Sequence, residues 1–118
     1  MARRSEGYEG RSTGSLVRIE PVHWDGVGRV AVIGEVDLSN VRDVEAALSY
    51  MAVSGQPLTL DLVGLSYLDS RGVAMLFRLS QRARRSGGSL TLANPQNLVR
   101  RVIQIAHLED AVAIIDDV

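Results

Sequence analysis

Short apolar segments alternate with amphipathic helical patterns along most of the chain, and this alternation constrains the fold more than any other feature of the sequence. The apolar segments are rich in leucine and β-branched residues, which is typical of strands inside a sheet. They are 29–36, 58–63, 89–93 and 111–115. Strands joined through helices run parallel, with right-handed crossovers. The sequence therefore predicts an α/β fold in which a mixed β-sheet carries its helices largely on one face.

The N-terminal part adds an antiparallel hairpin to this pattern. Residues 16–22 alternate apolar and polar side chains, which indicates a strand, and Pro21 places it at an edge because proline donates no hydrogen bond to a ladder. Residues 25–28 have the composition of a tight turn into the next strand. Residues 1–14 lack periodicity and are expected to form a flexible tail before a single domain at 15–118. The predicted order is β-β-α-β-α-β-α-β.

Three helices are predicted from apolar spacing and from residues typical of helix ends. Asn40 and Asp43 resemble a capping box at the first helix, which Gly55 and Pro57 end. A second helix over 70–86 has an inner stripe of Val73, Leu76, Phe77, Ser80 and Ala83. Its outer stripe, either a solvated face or a docking surface for an acidic partner, holds Arg71, Met75, Arg78, Arg82 and Arg85. Asn94 and Pro95 indicate the start of the third helix, whose apolar residues are Leu98, Val102, Ile105 and Ala106.

Composition argues against several classes of protein. Cysteine is absent, which removes disulfides and thiol chemistry and fits a cytoplasmic location. The formal net charge of -1 and the 4% aromatic content do not suit a nucleic-acid-binding protein. No apolar run approaches the ~20 residues that span a bilayer, so no membrane association is expected. Two remote histidines offer no metal-ligand cluster, and we expect no metal or other cofactor.

The segment 67–72, Y-L-D-S-R-G, places Ser70 where a loop ends and a helix begins. By residue type alone, Ser70 is most simply a structural N-cap, although a helix N-terminus would also tolerate a phosphate on its hydroxyl. A hydrolase nucleophile is disfavoured, because the G-x-S-x-G elbow is missing and no motif brings His23 or His107 to Ser70. Catalysis by the paired acids Glu35 and Asp37 lacks a recognisable pocket. No enzymatic activity is therefore expected.

Two segments resemble the STAS family, which is named for sulphate transporters and anti-sigma-factor antagonists. Residues 32–39, V-I-G-E-V-D-L-S, are similar to the family's stretch before its first helix, and residues 60–73, L-D-L-V-G-L-S-Y-L-D-S-R-G-V, are similar to its central motif. Residues 88–92 and 99–108 also resemble the closing strand and helix of that family. The resemblance extends from about residue 16 to 118 and favours the free-standing bacterial antagonists.

This resemblance implies a partner-switching function with Ser70 as the phosphorylation site. The unphosphorylated chain would bind an anti-sigma factor of the histidine-kinase-like ATPase class and release a sigma factor. The same ATPase, as a serine kinase, would phosphorylate Ser70 and end binding, and a metal-dependent serine phosphatase would reverse the modification. The implied partner surface consists of Asp37, Ser39, Asp69, Ser70, Arg71, Gly72, Met75 and Arg78.

Two departures from the family pattern concern the partner. Arg71 stands where small residues are common, and His107 stands where the family often has glycine. The alternative function is a STAS scaffold or transporter-associated subunit, as in stressosome-like or lipid-transport complexes, without kinase-driven dissociation. We further expect Asp37 and Ser70 to share one rim of the sheet, within about 15 Å of each other.

Overall fold

The computed structural model describes residues 8–11, 16–22 and 28–118, with backbone alone for the first range. The strands are β1 Tyr8–Arg11, β2 Leu16–Val22, β3 Gly28–Val36, β4 Pro57–Asp61, β5 Leu65–Leu68, β6 Ser89–Ala93 and β7 Ala113–Ile115. The helices are α1 Val41–Ala52, α2 Ser70–Arg85 and α3 Asn97–Ile105, followed by a 3-10 turn, Leu108–Asp110. No helix in the described ranges is long and apolar enough to cross a membrane.

The strands form one mixed sheet in the order β1-β2-β3-β4-β6-β7, with β5 paired to the far end of β3. The first three strands are antiparallel, and the remaining pairs are parallel. Because side chains alternate along a strand, one face carries an apolar row that the helices cover. That row includes Val17, Ile19, Val30, Val32, Leu58, Leu60, Leu90 and Leu92, packed with Val44, Leu48, Leu76, Leu79 and Val99. The predicted α/β fold class is confirmed.

The strand β5 was not expected, since residues 66–69 read as a loop. It forms because β3 is longer than β4 and offers a second set of partners, Val36 opposite Leu68 among them. The register shifts at Gly34, which has a φ of +113° and lies so close to β2 that a Cβ atom would be 2.3 Å from the Leu16 carbonyl oxygen. Glycine is therefore required where β3 changes partners.

The N-terminal predictions need two corrections. Tyr8–Arg11 is not part of a flexible tail but forms a strand that pairs with β2. Backbone hydrogen bonds hold this strand, and its side-chain pattern did not predict it. Consequently β2 is not an edge strand over its first half, and Pro21 lies beyond the part that β1 pairs. The remainder of the predicted tail, most of the predicted turn at 25–28 and His23 lie outside the described residues.

Two helix starts also differ from prediction. Asn40 occupies the N-cap position of α1, but its side chain does not cap the helix. Its Nδ2 atom donates to the Glu35 carbonyl oxygen, and its Oδ1 atom accepts from the Asp37 amide. The predicted capping box with Asp43 is therefore wrong. Asn94 does not begin α3, which starts at Asn97. Asn94 adopts a left-handed conformation, and its side chain donates to Asp117 at 2.9 Å.

An ion-pair cluster on the sheet face opposite the helices fixes the C-terminal residues. The buried Arg29 guanidinium binds Asp117 at 2.9 Å and Asp61 at 3.0 Å. Hydrogen bonds from Arg29 and Asn94 hold the pKa of the Asp117 carboxyl below its usual range. The pairing also raises the pKa of Arg29, which therefore stays charged.

Candidate functional site

Ser70 is exposed and is the first residue of α2. The helix is capped by the preceding residue, Asp69, whose Oδ1 atom accepts hydrogen bonds from the backbone amides of Arg71 (3.0 Å) and Gly72 (3.1 Å). The N-cap role considered for Ser70 is therefore wrong. Within the described part of the chain the Ser70 hydroxyl makes no hydrogen bond, so it is available for chemistry without loss of the cap.

The sheet brings Asp37 close to Ser70, as expected. Val36 pairs with Leu68, and the Asp69 amide donates to the Val36 carbonyl oxygen at 3.3 Å. One further residue on each side leads to Asp37 and Ser70, so their Cα atoms are at most about 12 Å apart. The Asp37 carboxylate accepts hydrogen bonds from the backbone amide (2.8 Å) and hydroxyl (2.6 Å) of Ser39. The loop that follows β3 is thus held in place by its own side chains.

Two residues of the predicted partner surface are buried. Gly72 faces the sheet, and a Cβ atom there would lie 2.3 Å from Leu68 Cδ1. Met75 is 1% exposed and belongs to the core, not to the outer stripe of α2. Phe77, predicted to face inwards, is 44% exposed. Met75 and Leu79 pack inwards, so the buried side of α2 is rotated relative to the predicted inner stripe. Gly72 and Met75 are therefore not accessible to a partner.

The arginines on the outer stripe of α2 differ in whether they pair with α1. Arg78 binds Glu45 of α1 through two hydrogen bonds of 2.6 and 2.8 Å, and Arg82 approaches the same carboxylate at 3.5 Å. Hydrogen bonding from Arg78 lowers the pKa of Glu45. Arg71, in contrast, is exposed and makes no ion pair with another described residue. The outer stripe therefore links α2 to α1 at Arg78 and Arg82, and Arg71 is the member adjacent to Ser70.

An apolar groove separates α2 from α3 and reaches Ser70. We call this the α2–α3 groove; its volume is about 500 Å³, and it is lined by Ser70, Val73, Ala74 and Phe77 of α2, Val102 and Ile105 of α3, and Ala106, His107 and Leu108. Apolar side chains dominate the lining, and Ser70 lies where the groove meets the N-terminus of α2. The exposed serine thus borders a surface suited to apolar side chains.

Sequence reasoning did not identify this groove, because it used the apolar residues of α3 to mark the helix without distinguishing which of them face the core. The buried residues of α3 are Val99 and Ile103, whereas Leu98 and Ile105 are 62% and 73% exposed. The available signal was the number of apolar residues: five of the nine in Asn97–Ile105, on more than one side of the helix. A short surface helix buries only one apolar stripe, so the second stripe indicated a further contact surface.

His107 also reaches this groove, which no sequence motif indicated. It is the second histidine considered beside Ser70, and its Nδ1 atom is 3.9 Å from the Asp110 carboxylate, with both side chains about four-fifths exposed. Ser70 and His107 share no hydrogen bond. A catalytic triad requires the serine, histidine and acid to be hydrogen-bonded in series, and that arrangement is not present in 28–118. The described residues likewise contain no cluster suited to a metal ion.

Comparisons with known proteins agree with this architecture. Residues 22–116 match a family model described as Mlab, STAS domain. The anti-sigma-B factor antagonist of Bacillus subtilis is 29% identical over 86 residues, which cover 73% of this chain and 79% of that protein. An anti-sigma factor antagonist from Mycobacterium paratuberculosis superposes with a TM-score of 0.76 at 21% identity, covering 89% of this chain and 90% of that one.

A further structural neighbour has been solved in two chemical states. The Bacillus protein SpoIIAA is 22% identical to this chain, with TM-scores of 0.67 for its unphosphorylated form and 0.62 for its phosphorylated form. The comparison covers 85% of this chain in both cases, and 88% and 91% of the two SpoIIAA chains. The family match over most of the chain and the shared fold lead to one conclusion: the chain belongs to the STAS domain family.

Proposed function

We propose that this protein is an anti-sigma factor antagonist controlled by phosphorylation of Ser70. In the unphosphorylated form it binds an anti-sigma factor that is also a serine kinase of the histidine-kinase-like ATPase class, and a sigma factor is released. The observation that carries the proposal is the state of Ser70: exposed, not needed as a cap, and on the rim of an apolar groove. The names of the relatives support the same function.

The chemical step is a phosphoryl transfer. The Ser70 hydroxyl attacks the γ-phosphorus of ATP, its proton passes to a base of the kinase, and ADP leaves. A metal-dependent phosphatase reverses the modification by transferring the phosphoryl group to water. SpoIIAA has been solved in unphosphorylated and phosphorylated forms, which supports the proposal that this fold tolerates the modification.

The phosphate ends partner binding through its charge and hydration. It adds about -1.5 to -2 charges at neutral pH. The backbone amides of Arg71 and Gly72, at the start of α2, already donate to the Asp69 carboxylate. The phosphate therefore lies beside an existing negative charge and extends into solvent or over the groove. A partner that packs closely on this rim would have to remove the hydration of the phosphate, which costs several kcal/mol. A loss of ~3 kcal/mol weakens binding more than a hundredfold.

The test uses this chain as bait in lysate, with Ser70→Ala and Ser70→Glu variants and mass spectrometry of the retained proteins. We expect Ser70→Ala to retain an ATPase that Ser70→Glu loses, and the unmodified chain, but not Ser70→Ala, to gain a phosphate at position 70. Ser89→Glu, at an exposed serine in β6, is the matched control and should bind like the unmodified chain. Equal retention by the Ala and Glu variants would contradict partner switching and favour the scaffold alternative.

A further inference from the structure

The two helices beside Ser70, α2 and α3, both expose large apolar side chains. Phe77 of α2 is 44% exposed and Ile105 of α3 is 73% exposed, and both line the α2–α3 groove. Leu98, two turns before Ile105 and on the same side of α3, is 62% exposed. These side chains leave much of their apolar surface in water, and burial of that surface by a partner would favour binding.

The dimensions of the groove suit a helix. From Ser70 to Phe77 there are seven residues, or about 10.5 Å along the α2 axis at 1.5 Å per residue. An amphipathic helix that presents apolar residues at i, i+3 or i+4, and i+7 spans the same distance, and this is the usual form of a helix bound in a groove.

Charged side chains around the groove indicate the charge that a bound helix carries beside its apolar residues. Arg101 is exposed on the outer side of α3, next to the Ile105 edge, and makes no ion pair with another described residue. Arg71 is likewise exposed and unpaired within the described ranges, at the Ser70 end of α2. The exposed carboxylates Glu109 and Asp110 follow His107, which also lines the groove. An acidic residue on the partner would thus meet a cation near Ser70 or along α3.

We infer that the α2–α3 groove binds one amphipathic helix of the anti-sigma factor, with its apolar residues between Phe77 and Ile105 and an acidic flank towards Arg101. The inference rests on the proposed function and names its contact surface. A second copy of this chain is the less suitable occupant, because a homodimer through the groove would cover Ser70 before any kinase could reach it. Of the partner surface implied by the family resemblance, which surrounds Ser70 from Asp37 to Arg78, only Ser70 lines this groove.

Site-specific photo-crosslinking tests this inference. A benzophenone-bearing amino acid is placed singly at positions 105, 77 and 50 of the full chain, and each protein is irradiated in lysate. Tyr50 is the matched control, since it is an apolar residue of α1 with 84% exposure but lies outside the groove. We expect positions 105 and 77, and not position 50, to crosslink to the ATPase that Ser70→Ala retains and Ser70→Glu loses. Peptide mapping should then assign the crosslinked segment to a helix of the ATPase.

Other crosslinking results would overturn the inference in distinguishable ways. If the Ser70-dependent ATPase is retained but crosslinks equally at all three positions, or at none, the groove is not its docking site and the proposed function stands. A crosslink from position 105 to a second copy of this chain would replace the partner by a homodimer. If no Ser70-dependent protein exists, both the proposed function and the groove's assigned partner fail together.

Affinity measurements with the purified ATPase give the size of the effect. Ile105→Asp should weaken binding by about tenfold to a hundredfold, as expected for loss of one buried apolar anchor. Arg101→Glu should weaken it by a smaller factor, with a stronger dependence on salt. Tyr50→Asp should leave the affinity within about twofold, and circular dichroism should give the same spectrum for all variants. Unchanged affinity of the folded Ile105→Asp variant would overturn the inference.

Discussion

The two sides of α2 use their side chains differently. On the side facing α1, Arg78 and Arg82 are bound to Glu45, so the charges already have partners within the chain. On the side facing α3, Phe77 is 44% exposed, and Ile105 across the groove on α3 is 73% exposed. Exposed ion pairs contribute little to affinity, whereas burial of apolar side chains contributes much. Charged residues spaced along one side of a helix can therefore pair within the chain and need not mark a partner surface. The apolar surface between α2 and α3, beside Ser70, has more to gain from contact with a partner.

Among variants of α2, the largest expected effect comes from the packing beneath both of its sides. Gly72→Val should lower the free energy of unfolding by about 2–3 kcal/mol, because the added side chain meets Leu68 and Val36 and forces α2 away from β5. Chemical denaturation measures this loss. Ala74→Val, at an exposed position on the same helix, is the control and should change the free energy by no more than about 0.6 kcal/mol. Similar losses for both variants would mean that α2 does not pack closely at Gly72.

A smaller effect is expected at the N-terminus of α2. Asp69→Ala should cost about 1 kcal/mol, because the amides of Arg71 and Gly72 lose their acceptor. Ser70→Ala should change the free energy of unfolding by less than about 0.5 kcal/mol, since the Ser70 hydroxyl is not the cap. Thermal unfolding of the two variants side by side measures the difference. An equal loss at both positions would show that the serine shares the capping role and is less available to a kinase.

The ion pairs on the α1 side should matter less, and in a pH-dependent way. Glu45→Gln should cost no more than about 1 kcal/mol at pH 7, since Arg78 and Arg82 are partly exposed. The pKa of Glu45 is lowered in the folded protein, so its carboxylate stabilises the fold above its unfolded pKa of about 4.3. This contribution is lost as the pH falls through the folded pKa. Denaturation curves of the unmodified protein and Glu45→Gln should therefore converge in acid. The control is Glu109→Gln, at an exposed residue without an ion pair in the described ranges, and it should change the free energy of unfolding little at pH 7.

The parts of the fold that could be predicted are those in which local pattern and tertiary environment agree. Alternation in β2 and β-branched residues in β3 gave the hairpin, and periodicity gave α1 and α2 with nearly the observed ends. The strand β5 was missed because its burial runs buried, exposed, exposed, buried, which lacks a period of two. Its existence depends on unused pairing groups at the end of β3, a distant feature that no local pattern records.

The candidate site could be predicted in position but not in composition. The D-S-R-G segment correctly placed an exposed Ser70 at the start of a helix. The order of strands and helices correctly brought Ser70 near Asp37. The contacts that decide the neighbouring side chains are long-range: Arg78 and Glu45 are separated by 33 residues along the chain. Whether α3 covers α2 or leaves a groove beside it likewise depends on how two helices pack, and a helical period of apolar residues does not specify which of two stripes faces the core.

The smallest expected effect sharpens the comparison most. Ile105→Ser should change the free energy of unfolding by less than about 0.5 kcal/mol, because the side chain is already mostly in solvent. Ile103→Ser, two residues earlier on α3, should cost at least about 3 kcal/mol, because Ile103 is 1% exposed and its loss leaves a cavity beside a buried hydroxyl. Urea denaturation at neutral pH distinguishes the two. If Ile105→Ser were as destabilising as Ile103→Ser, the outer stripe of α3 would belong to the core and the groove would not be open. A near-neutral result would show that folding gains almost nothing from Ile105, which leaves its apolar surface free to contact a partner.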